Sequence, residues 1–122
     1  MPEKPESLEE AVAQIVDFRD KRDWAQYHTP DQLSRALSIE ASELEEEFLW
    51  KDPKEARSYV NTSEGRKAAE EEIGDVLIYA LLFCERVGIN PLEAIGAKLE
   101  KNREKFPVED VKGQATFDDS HG

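Results

Sequence analysis

The run VLIYALLFC, Val76 to Cys84, constrains the fold more than any other feature, because nine consecutive residues are apolar. In a helix, such a run presents apolar side chains in every direction and must be covered all round. It is far shorter than the roughly 20 residues that cross a bilayer, so it belongs in a protein core. The sequence therefore predicts a central helix that other helices, or a second subunit, surround.

Signals for helix starts recur along the chain. A serine, threonine, aspartate or asparagine lies at each candidate N-cap, and at three of them a proline follows. Apolar residues then recur three and four positions apart, while no segment shows the strict alternation of a half-buried strand. We therefore expect an all-α fold resembling a four-helix bundle, with one short connecting helix. The expected helices cover about 8–24, 30–50, 53–60, 64–87 and 91–106.

A chain of 122 residues suits one domain, which we place at residues 1–107. The remainder, residues 108–122, lacks periodicity and ends in small and acidic residues, so a flexible acidic tail is expected there. The expected helices cover the apolar run only thinly. This favours a homo-oligomer, most simply a symmetric dimer, and a tightly packed monomeric bundle is the alternative.

The charge balance limits the possible partners. With 28 acidic and 16 basic side chains, the formal net charge is −12 at pH 7. Such a field repels phosphate backbones and anionic membranes, so we expect no nucleic-acid polymer and no membrane as a partner. The acidic N-terminus has no hydrophobic segment, which predicts neither a signal nor a transit peptide and favours a cytoplasmic location.

Acidic residues lie beside the apolar stripes of two expected helices. At about 100° per residue, Glu40 projects within the apolar arc of the second helix and Glu43 lies on its flank. In the long helix, Glu72 and Asp75 share a face directly before the apolar run. These ExxE and ExxD pairs therefore place four carboxylates close to the core.

Buried carboxylates need partners, because an unpaired one costs several kcal/mol and like charges raise each other's pKa. Few basic residues are near these four in sequence. Mg²⁺, with Mn²⁺ as a substitute, meets the need, since both prefer oxygen ligands and keep positions for phosphate. Acidic runs are more often solvated helix faces. We assign that interpretation to four neighbouring acids, Glu45, Glu46, Glu70 and Glu71.

Candidate substrate contacts lie elsewhere in the chain. Lys98 and Asn102 stand four apart on the last helix, where cationic and amide donors can grip the outer oxygens of a polyphosphate. Trp24, Trp50 and Tyr79 are flat side chains near helix ends that can stack on a nucleobase, although each alone is more typical of a core.

The ordered motifs resemble those of the MazG-like all-α nucleoside triphosphate pyrophosphohydrolases. The resemblance rests on the ExxE, the ExxD after 28 intervening residues, and KLEKNREKFP. Within that family, RDWAQYHTP, IEASELEEEFLW and EEEIGDVLIY are most similar to the dCTP pyrophosphatase branch. The resemblance implies Mg²⁺-dependent cleavage between the α and β phosphates, giving a monophosphate and pyrophosphate. It also implies a homodimer or a homotetramer built as two dimers.

The resemblance assigns roles to individual residues. It implies that Glu40, Glu43, Glu72 and Asp75 are metal ligands, and that Lys98 and Asn102 contact phosphate or sugar. It also implies that Trp24, Trp50, Tyr79 and Phe106 line the substrate pocket, where the tryptophans and Tyr79 can come from neighbouring subunits.

Two positions depart from the dCTP branch. Ile15 replaces a pocket histidine and Phe106 replaces a tyrosine, so the base preference stays open. His28, near the expected pocket entrance, is more typical of a surface histidine beside a helix.

The expected mechanism is direct attack by water in line with the breaking bond, oriented or deprotonated by Glu40 or Glu43. Nothing in the sequence chooses between these two acids. Two other functions remain open: a helical module that binds a nucleotide or cation without hydrolysis, and the same fold acting on dUTP or another phosphoanhydride.

Overall fold

The computed structural model describes residues 3–113. Regular structure in this range is helical throughout, which confirms the all-α prediction. No helix in residues 3–113 combines the length and hydropathy that a bilayer crossing needs. The helices are α1 (Leu8–Lys21), α2 (Pro30–Glu46), α3 (Pro53–Val60), α4 (Ser63–Val87), α5 (Pro91–Lys105) and α6 (Val108–Val111), with a 3₁₀ turn at Ala25–Tyr27.

The helix starts follow the capping signals. The side chains of Ser7, Asp52, Thr62 and Asn90 each accept a hydrogen bond from a backbone N–H three residues on, at 2.8–3.1 Å. Thr29 is the exception. It occupies the N-cap position of α2, but its side chain accepts no hydrogen bond from the helix, so Pro30 alone marks the start.

Two helices end earlier than expected. α1 stops at Lys21, and the backbone N–H groups of Arg22 and Trp24 both turn back to the Arg19 carbonyl. Asp23, between them, has a positive φ of 55°. α2 stops at Glu46, and Trp50 follows with a φ of 67°. The left-handed Asp23 ends α1 before the predicted Trp24. α2 instead tightens into successive turns over residues 47–49, in which each N–H bonds the carbonyl three residues back.

The chain divides into two compact units, Met1–Ile89 and Asn90–Gly122. In the first, α4 packs along α2 and also contacts α1 and α3. Leu33 of α2 and Leu82 of α4 are buried in the core of this unit. Part of the apolar run stays exposed, since Leu77 retains 55% of its accessible surface. Within this unit, the central helix is thus covered on some sides only.

The second unit contains α5 and α6. Leu92, Ile95 and Leu99 repeat along one side of α5 and are exposed. The sequence predicts a flexible tail from residue 108. Val108–Val111 form a short helix, and the flexibility of the tail stays a prediction. The rest of the predicted tail falls mainly on residues 114–122, which lie outside the described residues. The single-domain boundary at residue 107 stays a prediction.

Candidate active site

Three of the predicted acids converge between α2 and α4. One carboxylate oxygen from each of Glu40, Glu43 and Glu72 lies within 4.8 Å of the others, and we call these residues the acidic triad. Asp75 is not part of this group, although its charge acts on both Glu40 and Glu72. Three of the four predicted acids thus come together, while metal ligation by Glu40, Glu43, Glu72 and Asp75 stays a prediction.

The triad is electrostatically unfavourable in the absence of a cation. Burial is the largest cause of the raised pKa of Glu40, followed by hydrogen bonding to Glu43 and by the charges of neighbouring acids. Burial also raises the pKa of Glu72, again with Glu43 as the next cause. Since like charges at short range disfavour ionisation, these carboxyl groups keep protons to a higher pH than isolated ones.

Two triad oxygens have no partner. Oε2 of Glu40 and Oε2 of Glu72 are both closed off from solvent and accept no hydrogen bond. None of the ion pairs described in residues 3–113 involves a triad carboxylate. Buried acceptors without donors are rare, and hard oxygens grouped in this way suit Mg²⁺ or Mn²⁺. The residues present therefore fit a divalent cation.

An open cleft of about 460 Å³ lies beside the first half of α2 and Tyr79 of α4, and the triad residues are not among its lining. Ala36 of its lining is one helical turn before Glu40, and Tyr79 is one turn after Asp75. The two helices that carry the acids thus also contribute to the cleft wall, in which Tyr79 lies. Its other lining residues are Gln26, Tyr27, His28, Thr29, Gln32 and Leu33.

His28 is a candidate that the sequence did not identify. The pattern favours a surface histidine, but the residue lies in the cleft wall with Nδ1 buried and unpartnered. Burial lowers the pKa of His28, and the charges of Arg19 and Arg86 lower it further. Arg86 Nε also donates to the His28 carbonyl at 3.2 Å. The imidazole is thus held neutral, by contacts from residues distant in sequence that no local pattern reveals.

The two tryptophans do not line this cleft. Trp24 packs edge-on against Phe18, with 5.9 Å between ring centroids, and is half exposed. Trp50 is 96% exposed. Of the three aromatic residues proposed to contact a base, only Tyr79 lies in the cleft wall. Substrate contact by Trp24, Trp50 and Tyr79 stays a prediction.

The remaining predicted contacts belong to the second unit. Lys98 and Asn102 lie one turn apart on α5, and the Asn102 carbonyl accepts the backbone N–H of Phe106 at 2.8 Å. Lys105 Nζ lies 5.7 Å from the centroid of the Phe106 ring. Substrate binding by Lys98, Asn102 and Phe106 stays a prediction.

Comparisons with known proteins show which family the chain is similar to. A family model described as MazG-like matches residues 36–117. The chain is 35% identical over 112 residues to dCTP pyrophosphatase 1 of Mus musculus, covering 91% of this chain and 66% of the mouse protein. The human protein of the same name is 35% identical over 105 residues, covering 85% and 62%. The chain thus spans slightly less than two thirds of these curated relatives.

A solved structure is also similar. The crystal structure of a pyrophosphatase from Archaeoglobus fulgidus superposes with a TM-score of 0.77 and 41% sequence identity. The match covers 88% of this chain and 98% of the archaeal one. The fold is therefore shared over nearly the whole of that protein.

Proposed function

The chain belongs to the MazG-like family, and from that premise we propose that it hydrolyses nucleoside triphosphates to the monophosphate and pyrophosphate. The observation that carries the proposal is the acidic triad with its two buried and unpartnered oxygens, on two helices that also line an open cleft. Relatives named dCTP pyrophosphatase 1 and a structurally similar pyrophosphatase support the same reaction.

The triad holds Mg²⁺ in this proposal, with Mn²⁺ as a substitute and Asp75 as an additional ligand. When bound there, the cation neutralises charge on the acids and on the triphosphate and polarises the phosphate under attack. Glu40 or Glu43 orients the attacking water and accepts its proton, because a carboxylate oxygen not used in ligation is the nearest base. The water attacks directly in this proposal, because no serine, cysteine or histidine arrangement in the sequence indicates a covalent nucleophile.

The cleft receives the nucleoside, and cytosine is the base we favour. Tyr79 offers a ring for the sugar or base, while the neutral imidazole of His28 offers a hydrogen bond to a base edge. The relatives named for dCTP favour this choice. Contact of Lys98 and Asn102, both on α5 of the second unit, with phosphate oxygens stays a prediction.

We also propose that the working form is a homodimer or homotetramer. Its support is the exposure of Leu77 on α4 and of the apolar side of α5, because surfaces of this kind mark subunit interfaces. A cytoplasmic location and the lack of nucleic-acid polymer and membrane partners stay predictions.

The test is a panel of nucleotides at one Mg²⁺ concentration, with dCTP, dTTP, dUTP and dATP as substrates. The expected result is release of pyrophosphate and a monophosphate, fastest with dCTP. Asp75→Asn should lower the rate about 100-fold while the helical circular dichroism persists, as expected for a weakened metal site. Glu45→Gln, at an exposed acid on α2, is the control and should keep the rate.

Three outcomes separate the alternatives. Nucleotide binding without product would support the non-catalytic binding module. Faster release from dUTP than from dCTP would keep the reaction and change the substrate. Orthophosphate in place of pyrophosphate would contradict the proposed bond of cleavage.

A further inference from the structure

A fifth acid, Glu47, lies beside the triad at the end of α2. It comes one helical turn after Glu43, and its charge is among the influences that, after burial, raise the pKa of Glu72. Glu47 is not one of the group whose oxygens lie within 4.8 Å of one another. The charge of Glu47 therefore acts on the triad, although its carboxylate is not one of the three that converge.

Unlike the triad acids with unpartnered oxygens, Glu47 is fixed by a donor. The Tyr59 hydroxyl donates to Glu47 Oε1 at 2.5 Å, and this bond joins α3 to the end of α2. Hydrogen bonding to Glu47 is the largest cause of the raised pKa of Tyr59, so the phenol keeps its proton and remains a donor. Oε1 is thus committed to Tyr59, and Oε2 is left to accept hydrogen bonds from water.

Tyr59 is itself held firmly. Its ring packs edge-on against Phe48, with centroids 5.9 Å apart, and Lys51 Nζ lies 4.3 Å from its centroid. The Thr62 hydroxyl donates to the Tyr59 carbonyl at 2.7 Å. A Cβ at Gly65 would lie only 2.1 Å from that carbonyl oxygen, so α3 ends directly against the first turn of α4. Contacts to the ring and to the backbone of Tyr59 therefore both restrict the position of its hydroxyl group.

We propose that Tyr59 positions Glu47 as an outer carboxylate of the acidic site, which accepts hydrogen bonds from the water that the held cation keeps. Mg²⁺ dehydrates reluctantly and retains several waters in protein sites. Acceptors for those waters orient them and increase metal affinity, and their removal typically costs about 10–100-fold. This inference rests on the proposed function, because it requires the triad to hold a cation.

The experiment measures binding of Mn²⁺ alone to the full chain, without nucleotide, by paramagnetic resonance of the free ion. Glu47→Gln and Tyr59→Phe should each raise the Kd for Mn²⁺ about tenfold. Tyr59→Phe is the sharper variant, because it removes one hydroxyl, changes no charge and keeps the ring packed on Phe48. Circular dichroism at the same temperature establishes that each variant is folded.

A double variant tests whether Tyr59 affects Mn²⁺ binding only through Glu47. If Tyr59 acts through Glu47, the variant with both substitutions binds Mn²⁺ no more weakly than Glu47→Gln alone. A purely structural role for Tyr59 would instead give additive losses. Glu45→Gln removes the same charge from an exposed position and should change the Kd less than twofold.

The controls separate this inference from the proposed function. Glu72→Gln should remove most Mn²⁺ binding. Suppose that Glu72→Gln removes binding, but the Kd of Glu47→Gln equals that of Glu45→Gln, or the Kd of Tyr59→Phe equals that of the unsubstituted protein. The positioning role is then contradicted, while the metal site is retained. If the unsubstituted protein binds no Mn²⁺, both proposals fail together.

Discussion

The carboxyl groups of Glu40 and Glu72 oppose folding when no cation is present. Burial raises the pKa of each, with neighbouring acids adding to the effect, so the folded state holds protons that the unfolded chain has released. Between the unfolded pKa of about 4.3 and the raised folded pKa, the free energy of unfolding therefore falls as pH rises.

This fall in stability with rising pH leads to a prediction for Glu72→Gln. In EDTA, the variant should have a higher melting temperature than the unsubstituted protein at pH 7, and the difference should vanish below about pH 4, where Glu72 is protonated in both states. Thermal unfolding followed by circular dichroism across this range measures it. Mg²⁺ should stabilise the unsubstituted protein and have little effect on the variant. An equal response of both to Mg²⁺ would contradict the site.

His28 leads to a prediction about substrate binding. Replacing it with alanine removes a hydrogen-bonding group from the cleft wall and should raise KM for dCTP about tenfold, with kcat changed little. The reason is that the imidazole lies in the cleft, away from the breaking bond. Steady-state kinetics measures both constants. A fall in kcat at unchanged KM would instead indicate that His28 acts on the chemistry.

At the scale of helices, local chemistry predicted starts better than ends. Ser7 and Asn90 accept their capping hydrogen bonds as the sequence indicated, because capping depends on residues only three positions apart. The end of α2 could not be predicted in the same way. Apolar periodicity continues through Phe48, but the chain leaves the helix at Glu46 and reaches a left-handed Trp50, a conformation that sequence does not favour for a bulky residue.

The contact between α3 and α4 gives a prediction with an internal control. Gly65→Ala should destabilise the protein by more than about 2 kcal/mol, because its Cβ would overlap the Tyr59 carbonyl. Gly74→Ala, in the same helix, meets nothing within 4 Å and should stabilise it by about 0.5–1 kcal/mol. Urea unfolding of both variants gives the two values. Equal changes in the free energy of unfolding would contradict the close packing of the end of α3 against Gly65 of α4.

At the scale of the whole molecule, sequence predicted which faces carry acids but not the cavity beside them. Helical spacing placed Glu40 and Glu72 next to apolar stripes, and α2 and α4 bring these faces together. The cleft also needs the turn that contains His28, which a distant residue, Arg86, holds. Long-range contacts of this kind have no local signature, which is why His28 was assigned to the surface.

The exposed side of α4 supplies a prediction about assembly. Leu77→Glu should shift the protein to a smaller mass in sedimentation equilibrium, since burying an unpaired charge in a subunit interface costs several kcal/mol. Lys67→Glu is the control, because it alters charge at an exposed position nearer the start of α4 and should leave the mass unchanged. A monomer before any substitution would contradict the proposed assembly directly.

Trp50 has an optical consequence. Its indole is almost entirely in water and is fixed on a left-handed residue, whereas Trp24 is shielded along one edge by Phe18. Indole emission moves to shorter wavelengths when water is excluded from the ring. Any molecule that binds over Trp50, whether a nucleotide or another copy of the chain, will therefore blue-shift the protein's intrinsic tryptophan fluorescence.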